Sequence, residues 1–412
     1  METRQPPARG TGDEPWERVR PGWTLRLILV HIGLYMAFLT PIQLLLAQQL
    51  DGIDPGNKEA ALSWATGIGA LIAVVANPVA GALSDRTRSR YGRRRPWIAG
   101  GTALASAGLV LTSVQSSVAG VTAGWCLAQL GLNAVLASAV AVVPDRVPVA
   151  QRASVTGWVG LAQPLGLVAG AALVTVVGTG PAGGYLLLTS LTVLLVLPFL
   201  LVREVPGAPV DRVRLRARDF WVDPRAHPDF GWSWLTRFAV NLGNGLGTLY
   251  MLYFLDDTVG HPAPDQGVLV LTALYTGGVT VTAIGAGRVS DRLGLRRAPV
   301  ALGATVMSVA ALLLAAHPTW PVTMVAATLL GLGFGAYVGV EQALLTQVLP
   351  RAGDRAKDLG VLNVANAVPQ VLGPALAASV IALGGGYSGL FITSALLTGA
   401  GAALVWRIRS VR

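Results

Sequence analysis

Cysteine and lysine are almost absent from this chain of 412 residues. The single cysteine, Cys126, excludes an intramolecular disulfide and a metal site built from cysteines. Neither of the two lysines, Lys58 and Lys357, follows a glycine-rich turn, so a phosphate loop is excluded. The sequence also shows no serine, histidine and carboxylate arrangement of the kind that hydrolases use. We therefore expect neither enzymatic activity nor a bound cofactor or metal.

Charged residues are scarce as well. They make up 13% of the chain, hydrophobic residues make up 53%, and the mean hydropathy is +0.57, which is too apolar for a soluble protein of this length. The net charge is nevertheless +10, a value that would suggest nucleic-acid binding in a soluble protein. Here the arginines lie in short turns between apolar stretches. The expected partner is therefore a lipid bilayer, and not a nucleic acid.

Twelve apolar stretches are each about as long as the 20 residues that a membrane-spanning helix needs. They divide into six on each side of the most polar part of the chain, which predicts an all-α membrane protein. The predicted spans are 24–49, 60–83, 97–116, 118–143, 154–177, 185–202, 233–255, 267–287, 298–316, 321–348, 359–383 and 388–406.

The basic residues predict the orientation of these spans. With a cytoplasmic N-terminus, 28 of the 31 arginines and lysines fall in cytoplasmic segments, as the positive-inside rule requires. Both termini are then cytoplasmic. The abundance of arginine, alanine and glycine suggests a bacterial gene rich in G+C, and hence the inner membrane. The predicted organisation is a tail (1–22), a six-helix bundle (23–202), a linker (203–231), a second bundle (232–406) and a tail (407–412).

A short basic turn occurs once in each half of the chain. The first copy is Gly81–Trp97 and the second is Gly287–Arg297, each between two apolar stretches. Their aspartates, Asp85 and Asp291, are half the chain length apart. A turn repeated at this distance indicates two halves related as parallel repeats, which is a common architecture among transporters.

The second copy reads Gly-x-x-x-Asp-Arg-x-Gly and continues, after one residue, with two arginines, which resembles the loop signature of the major facilitator superfamily. The resemblance covers nearly the whole chain. It implies two pseudo-symmetric bundles of six helices that carry a small-molecule substrate by alternating access, driven by a proton or cation gradient. We expect a monomer. In the family, residues of this signature form a conformational latch on the cytoplasmic side; the matching residues, with Asp145 as an expected partner, are Gly81, Asp85, Arg86, Gly92, Arg93, Gly287, Asp291, Arg292 and Gly294.

The first copy is longer than the second and ends in Gly-Arg-Arg-Arg-Pro-Trp. This extended form is similar to the sucrose-transporter and glycoside–pentoside–hexuronide:cation symporter branches, which implies a sugar-like substrate. The fourth and fifth spans, however, lack the carboxylate and arginine of sucrose-type symporters. The fifth span also lacks the glycine-rich element that drug:proton antiporters favour. Both uptake and efflux therefore stay open, and efflux of a drug or secondary metabolite is the alternative function. A transport-inactive sensor on the same fold is the alternative of another class.

One carboxylate, Glu341, lies deep within a predicted span, with Tyr337 one turn before it. Ionisable groups at membrane depth are costly, and by default they are functional. A buried carboxylate can bind and release a proton, so Glu341 is the candidate for proton coupling and His31 is the second candidate. The alternative is a structural glutamate paired with Arg237 or Gln342.

Polar side chains in register indicate the substrate cavity. On the seventh span, Arg237, Asn241, Asn244 and Thr248 share one helical face. Amide and aromatic groups suit a neutral, hydroxyl-bearing or amphipathic solute, because they donate and accept hydrogen bonds without requiring charge. The full set of substrate-binding candidates is Tyr35, Gln129, Asn133, Gln163, Arg237, Asn241, Asn244, Thr248, Tyr337, Asn363, Asn366 and Gln370.

Overall fold

The computed structural model describes residues 18–178, 180–201, 227–348 and 355–410, and every regular element within them is a helix. These helices form twelve rods in two groups of six. The first group comprises α1 (Pro21–Thr40, the π-helical turn Pro41–Leu45, and Leu46–Ile53), α2 (Lys58–Arg86), α3 (Arg95–Ser113), α4 (Val118–Arg146), α5 (Val149–Gly160 and Ala162–Val177) and α6 (Gly180–Leu200). The second group comprises α7 (Pro228–Leu249, Met251–Phe254 and the π-helical turn Leu255–Val259), α8 (Pro264–Leu293), α9 (Arg297–Ala316), α10 (Trp320–Val348), α11 (Arg355–Val380 and the π-helical turn Ile381–Gly385) and α12 (Gly386–Leu404).

The length and composition of these rods suit a membrane. Among the described residues, nine stretches are long and apolar enough to cross a bilayer. The last stretch, Ala365–Arg407, takes in both α11 and α12, and the rods α3 and α7 complete the twelve. The all-α, twelve-helix architecture predicted from the sequence is therefore confirmed. The greater part of the predicted tail 1–22 and of the linker 203–231 lies outside the described residues.

Local sequence explains where several rods begin and end. Pro21, Pro228 and Pro264 occupy the first turns of α1, α7 and α8, where a missing N–H costs no hydrogen bond. Gly178 and Gly294 end α5 and α8 with φ of 61° and 64°. This left-handed conformation is readily adopted only by glycine, so the two glycines terminate these helices.

The two groups of six pack in the same order. In the first group α1 packs against α5 and α6, and α4 against α2 and α3; in the second group α7 packs against α11 and α12, and α10 against α8 and α9. The halves meet where α2 packs against α11 and where α5 packs against α8. Exchange of the two halves turns one of these contacts into the other, so the fold has pseudo-twofold symmetry.

Matched glycines bring two helix pairs into close contact. A Cβ atom on Gly101 of α3 would lie 2.8 Å from the carbonyl oxygen of Gly131 on α4. A Cβ atom on Gly303 of α9 would lie 2.6 Å from the carbonyl oxygen of Gly333 on α10. Small residues allow such backbone approach in membranes, where packing drives association of helices. The pairs α3–α4 and α9–α10 thus pack through the same kind of glycine contact in both halves.

Candidate functional site

A buried ion pair joins α7 to α10 in the second half. Nη1 of Arg237 donates a hydrogen bond of 2.7 Å to Oε1 of Glu341, and the two residues are 8% and 6% exposed. From the helical rise, Arg237 lies about 14 Å from the first residue of α7, and Glu341 lies about 10 Å from the last residue of α10. Both charges therefore lie within a hydrocarbon core of about 30 Å, between the midplane and the helix ends.

Two neighbours complete a cluster around this pair. Tyr337 lies one turn before Glu341, is 1% exposed, and interacts electrostatically with both members of the pair. Asn241 lies one turn after Arg237, and its amide donates a hydrogen bond of 2.8 Å to the Arg237 carbonyl. The Nε of Arg237 is buried and has no hydrogen-bond partner within the described residues. The structure thus brings four predicted site residues together and leaves one guanidinium donor unused.

The polar face of α7 continues away from the pair to Asn244. Its Oδ1 accepts a hydrogen bond of 3.3 Å from the hydroxyl of Tyr275 on α8. The Tyr275 ring stacks on Phe334 of α10 with centroids 6.2 Å apart, and Phe334 lies 6.0 Å from the Tyr337 ring. Thr248 donates within its own helix, to the carbonyl oxygen of Asn244 at 3.2 Å. The sequence analysis did not identify Tyr275 and Phe334, which come from neighbouring helices.

In the first half, an amide chain links α2 to α4. Gln129 and Asn133 are each 3% exposed, and Nδ2 of Asn133 donates to Oε1 of Gln129 at 3.1 Å. Nδ2 of Asn77, a residue that the sequence analysis missed, lies 3.5 Å from Oδ1 of Asn133. One turn before Gln129, the Nε1 of Trp125 is buried without a hydrogen-bond partner in the described part of the chain. This half contributes neutral donors and acceptors.

His31 on α1 is almost completely buried. Its Nδ1 lies 2.8 Å from the carbonyl oxygen of Leu27, and because a carbonyl only accepts, Nδ1 carries the hydrogen. The other ring nitrogen, Nε2, is then an acceptor in the neutral ring, and it has no hydrogen-bond partner among the described residues. The half-buried Tyr35 lies one turn later, with its ring centroid 6.4 Å from that of His31.

The remaining predicted cavity residues are less enclosed. Gln163 on α5 and Gln370 on α11 are exposed, and Asn366 on α11 is half-buried. The side chain of Asn363 lies outside the described residues. The structure thus does not place Gln163 and Gln370 in the buried cluster around Arg237.

The first basic turn folds onto the ends of α2 and α4. Arg93 and Arg94 both donate to the carboxylate of Asp145, at 2.5 Å and 2.8 Å. Arg94 is the most enclosed arginine of the turn, with 5% of its side chain exposed, and it also lies 2.5 Å from Asp85 and from Ser84. The expected contact with Asp145 is therefore present. These contacts all lie within the first half of the molecule.

The second turn repeats part of this arrangement. Nη1 of Arg296 donates to Oγ of Ser290 at 2.9 Å, in the same way that Arg94 bonds to Ser84. Each serine directly precedes the aspartate of its signature. In the first turn Gly92 has φ of 87°, which is the conformational reason for a glycine there.

A second pair of arginines occupies equivalent positions in the two halves. Arg95, the first residue of α3, donates to the carbonyl oxygen of Phe199 near the end of α6, at 3.3 Å. Arg297, the first residue of α9, donates to the carbonyl oxygen of Ile408 just beyond α12, at 2.8 Å. Arg95 thereby satisfies one of the carbonyls that the end of α6 leaves without an intrahelical partner, and Arg297 bonds to the chain that follows α12. The sequence analysis did not identify a role for these two arginines.

The other predicted latch residues differ in how far they are exposed. Arg86 and Arg292 are exposed. Gly81 and Gly287 are half-buried, and a Cβ atom on Gly287 would lie 3.2 Å from the Gly339 carbonyl oxygen on α10. The side chain of Asp291 lies outside the described residues.

At the opposite end of the molecule an ion pair and hydrogen bonds join the two halves. We call this the closed end. Nζ of Lys58 on α2 lies 2.8 Å from Oδ1 of Asp257, at the end of α7, and 3.4 Å from Asp51. The hydroxyl of Tyr387 on α12 lies 2.7 Å from Asp257 and 3.0 Å from Glu59. The chain's one described lysine thus bridges the halves.

Further hydrogen bonds join the two halves near this network. The Tyr253 hydroxyl donates to the carbonyl oxygen of Ala47 at 2.8 Å. Oγ of Ser63 donates to the carbonyl oxygen of Pro374 at 2.8 Å and shares a hydrogen bond with the Tyr250 hydroxyl. Sequence offered one signal for this network: a lone lysine and a pair of aspartates occur at the same predicted side of the membrane.

Comparisons with known proteins agree with this architecture. The Major Facilitator Superfamily model matches residues 27–271 and 257–412. None of the curated proteins compared with the sequence matches it significantly. Two solved structures share the fold at 12% identity: a variant of the nucleoside transporter NupG has a TM-score of 0.77, with 94% of this chain and 99% of that chain covered. A POT family transporter in complex with a thioalcohol-conjugated peptide has a TM-score of 0.72, with 93% and 95% covered. With its repeated basic turns and twelve helices in two matching halves, the chain belongs to the Major Facilitator Superfamily.

Proposed function

We propose that this protein is a proton-coupled secondary transporter of a small organic solute, with Glu341 as the proton carrier. The observation that supports the proposal is the buried 2.7 Å pair between Arg237 and Glu341. A coupling group must change charge during the cycle, and a carboxylate that moves between wet and dry surroundings does so. Protonation of Glu341 removes its negative charge and weakens its hold on Arg237. The pair therefore links a proton to the packing of α7 against α10.

The substrate side of the site is the polar surface around this pair. Arg237, Asn241 and Tyr337 contact or adjoin Glu341, and Asn244 extends the surface along α7. Gln129, Asn133 and Tyr35 supply neutral groups from the first half, with His31 as an alternative proton site. Amides and aromatic rings suit hydroxyl-bearing solutes. Together with the extended form of the first basic turn, they support uptake of a sugar-like compound.

The closed end faces outward in this proposal. The basic turns and both termini then lie in the cytoplasm of a bacterial cell, as the distribution of arginine requires. The network around Lys58 and Asp257 closes the outer side, and it must break when the transporter opens outward. Alternating access would therefore exchange this network for contacts at the cytoplasmic ends of the two halves.

A flux experiment in proteoliposomes tests the proposal. Purified protein is reconstituted with a pH-sensitive dye inside, and an inward proton gradient is imposed together with a panel of sugars, sugar acids and amphipathic compounds. We expect at least one compound to accumulate and to acidify the lumen as it enters. Protein-free vesicles provide the control. If no compound both accumulates and moves protons, the protein is not a proton-coupled transporter, and binding without flux would favour a sensor.

A further inference from the structure

The charges around the buried pair balance. Arg237 carries one positive charge and Glu341 carries one negative charge, while Asn241, Asn244 and Tyr337 are neutral. The buried site residues of the first half are amides and a histidine whose Nδ1 bonds to a backbone carbonyl. The described cluster therefore has no net charge when the pair is intact. A buried charge without a partner is strongly unfavourable at membrane depth, so the transporter must keep this balance as it moves.

A proton on Glu341 breaks the balance, because it leaves Arg237 with an uncompensated positive charge. A neutral solute cannot restore it. We infer that the transported solute carries one acidic group, whose negative charge replaces that of Glu341 on Arg237. This inference rests on the proposed function, and it narrows the substrate to monoanions, with hydroxyl groups for the amides to bind. One proton and one anion then cross together, and the transport cycle is electroneutral.

The geometry of Arg237 favours such a ligand. Its contact with Glu341 uses Nη1, and its Nε is buried with no hydrogen-bond partner within the described part of the chain. A guanidinium presents its donors in a planar fork that matches a carboxylate with two parallel hydrogen bonds. The Nε edge is thus a ready donor for an incoming carboxylate. Tyr337, buried beside the pair, supplies a hydroxyl group to the same place.

The proton in this scheme has a defined set of neighbours. Glu341 interacts with Arg237 from α7 and with Tyr337 from its own helix, among the described side chains. From α8, the titratable group near this region is Tyr275, which bonds to Asn244. Phenols stay protonated at neutral pH, so Glu341 is the group that exchanges the proton while Arg237 keeps its charge.

Matched pairs of acids and their amides test the inference. The probes are gluconate and gluconamide, glucuronate and glucuronamide, lactate and lactamide, and benzoate and benzamide, with binding to the purified full-length protein measured by thermal stabilisation and by calorimetry. We expect an acid to bind and its amide not to. The affinity for the acid should fall about tenfold for each unit of pH above the titration of Glu341, because one proton binds with each anion.

Variants separate the charge effect from misfolding. Glu341→Gln should bind the acid with an affinity that does not change with pH while the probe stays ionised, since the proton requirement is gone. The double variant with Arg237→Gln and Glu341→Gln has no buried charge to compensate, so it should fold. Because it lacks the guanidinium, it should bind the acid more than about tenfold more weakly than Glu341→Gln does. Arg26→Gln, which removes an arginine outside the site, should bind as the wild type does.

The possible outcomes test the inference and the proposed function separately. Electroneutral, proton-linked entry of an acid in proteoliposomes supports both. If an amide binds as well as its acid, if no acid of the panel binds, or if entry of an acid carries a current, the inference is overturned. Proton-linked accumulation of a neutral compound would overturn the inference and leave the proposed function in place. Entry of an acid without any proton flux would overturn the proposed function itself.

Discussion

Nη1 of Arg237 lies 2.7 Å from Oε1 of Glu341, so opposite charges join α7 and α10 in the buried interior of the second half. In a buried pair of this kind, the effect of removing one residue on the stability of the protein depends on whether the other is present. Removal of one partner leaves the other as an uncompensated charge, at a cost of about 3–5 kcal/mol, whereas removal of both does not.

We therefore expect Arg237→Gln and Glu341→Gln each to lower the melting temperature of the detergent-purified protein by more than the double variant does. The reason is that each single variant buries one charge without a partner and the double variant buries none. Thermal unfolding of the three variants beside the wild type gives the comparison. Additive losses would show that the two side chains do not interact as the structure describes.

The closed end offers a second prediction. Lys58→Gln breaks the ion pair with Asp257, and an ion pair that is partly exposed contributes up to about 1 kcal/mol, or roughly a fivefold shift in a conformational equilibrium. A cysteine introduced at Thr66, one turn deeper than Ser63, in a Cys126→Ser background reports whether this end opens. We expect a two- to fivefold faster reaction with an impermeant maleimide in Lys58→Gln.

Asp54→Asn is the matched control for this experiment. Asp54 lies in the same loop between α1 and α2, but its carboxylate accepts hydrogen bonds from the nearby Asn57, within the first half. Its substitution should leave the labelling rate unchanged. Equal rates in Lys58→Gln and wild type would mean that the ion pair does not hold this end closed.

The first basic turn should depend on Arg94 more than on the exposed arginines around it. Arg94 contacts Asp85, Asp145 and Ser84 with 5% of its side chain exposed, whereas Arg90 is exposed and bonds to the adjacent Tyr91. Hydrogen bonds to charged groups contribute about 1.5–3 kcal/mol each, so Arg94→Gln should lower stability clearly. Arg90→Gln should not. Similar melting temperatures for the two variants would assign Arg94 a topological role only.

A glycine pair gives a prediction about packing. Gly101→Ala would place a methyl group 2.8 Å from the carbonyl oxygen of Gly131, and overpacking of this kind costs about 1–3 kcal/mol. A methyl group on the adjacent Gly100 would have no other atom within 4 Å among the described residues, so Gly100→Ala provides the control. We expect a lower melting temperature for Gly101→Ala alone. No difference between the two would indicate that α3 and α4 are farther apart than described.

Periodicity and charge were sufficient for the fold. Twelve apolar stretches predicted twelve rods, and Arg237, Asn241 and Asn244 on one face predicted the polar side of α7. The same signals could not predict the turns within rods, such as the π-helical Pro41–Leu45, because hydropathy continues unbroken through them.

Contacts between helices that are distant in the chain could not be predicted from the sequence. The bond from Tyr275 to Asn244 and the bridge from Lys58 to Asp257 depend on which helices are neighbours, and no period along one helix contains that information. Arginines of the turns were similarly ambiguous. Arg94 and Arg95 follow one another in a basic run, and only the structure distinguishes the one that pairs with Asp145 from the one that caps α6.

Transport by Glu341→Gln tests the central claim most directly. The wild type should use an imposed gradient of one pH unit to accumulate a transported solute up to about tenfold, because one proton enters with it. Glu341→Gln imitates the protonated side chain at nearly the same volume. The account predicts that this variant exchanges labelled for unlabelled solute across the membrane but does not accumulate it. Accumulation equal to that of the wild type, with the same dependence on pH, would contradict the account.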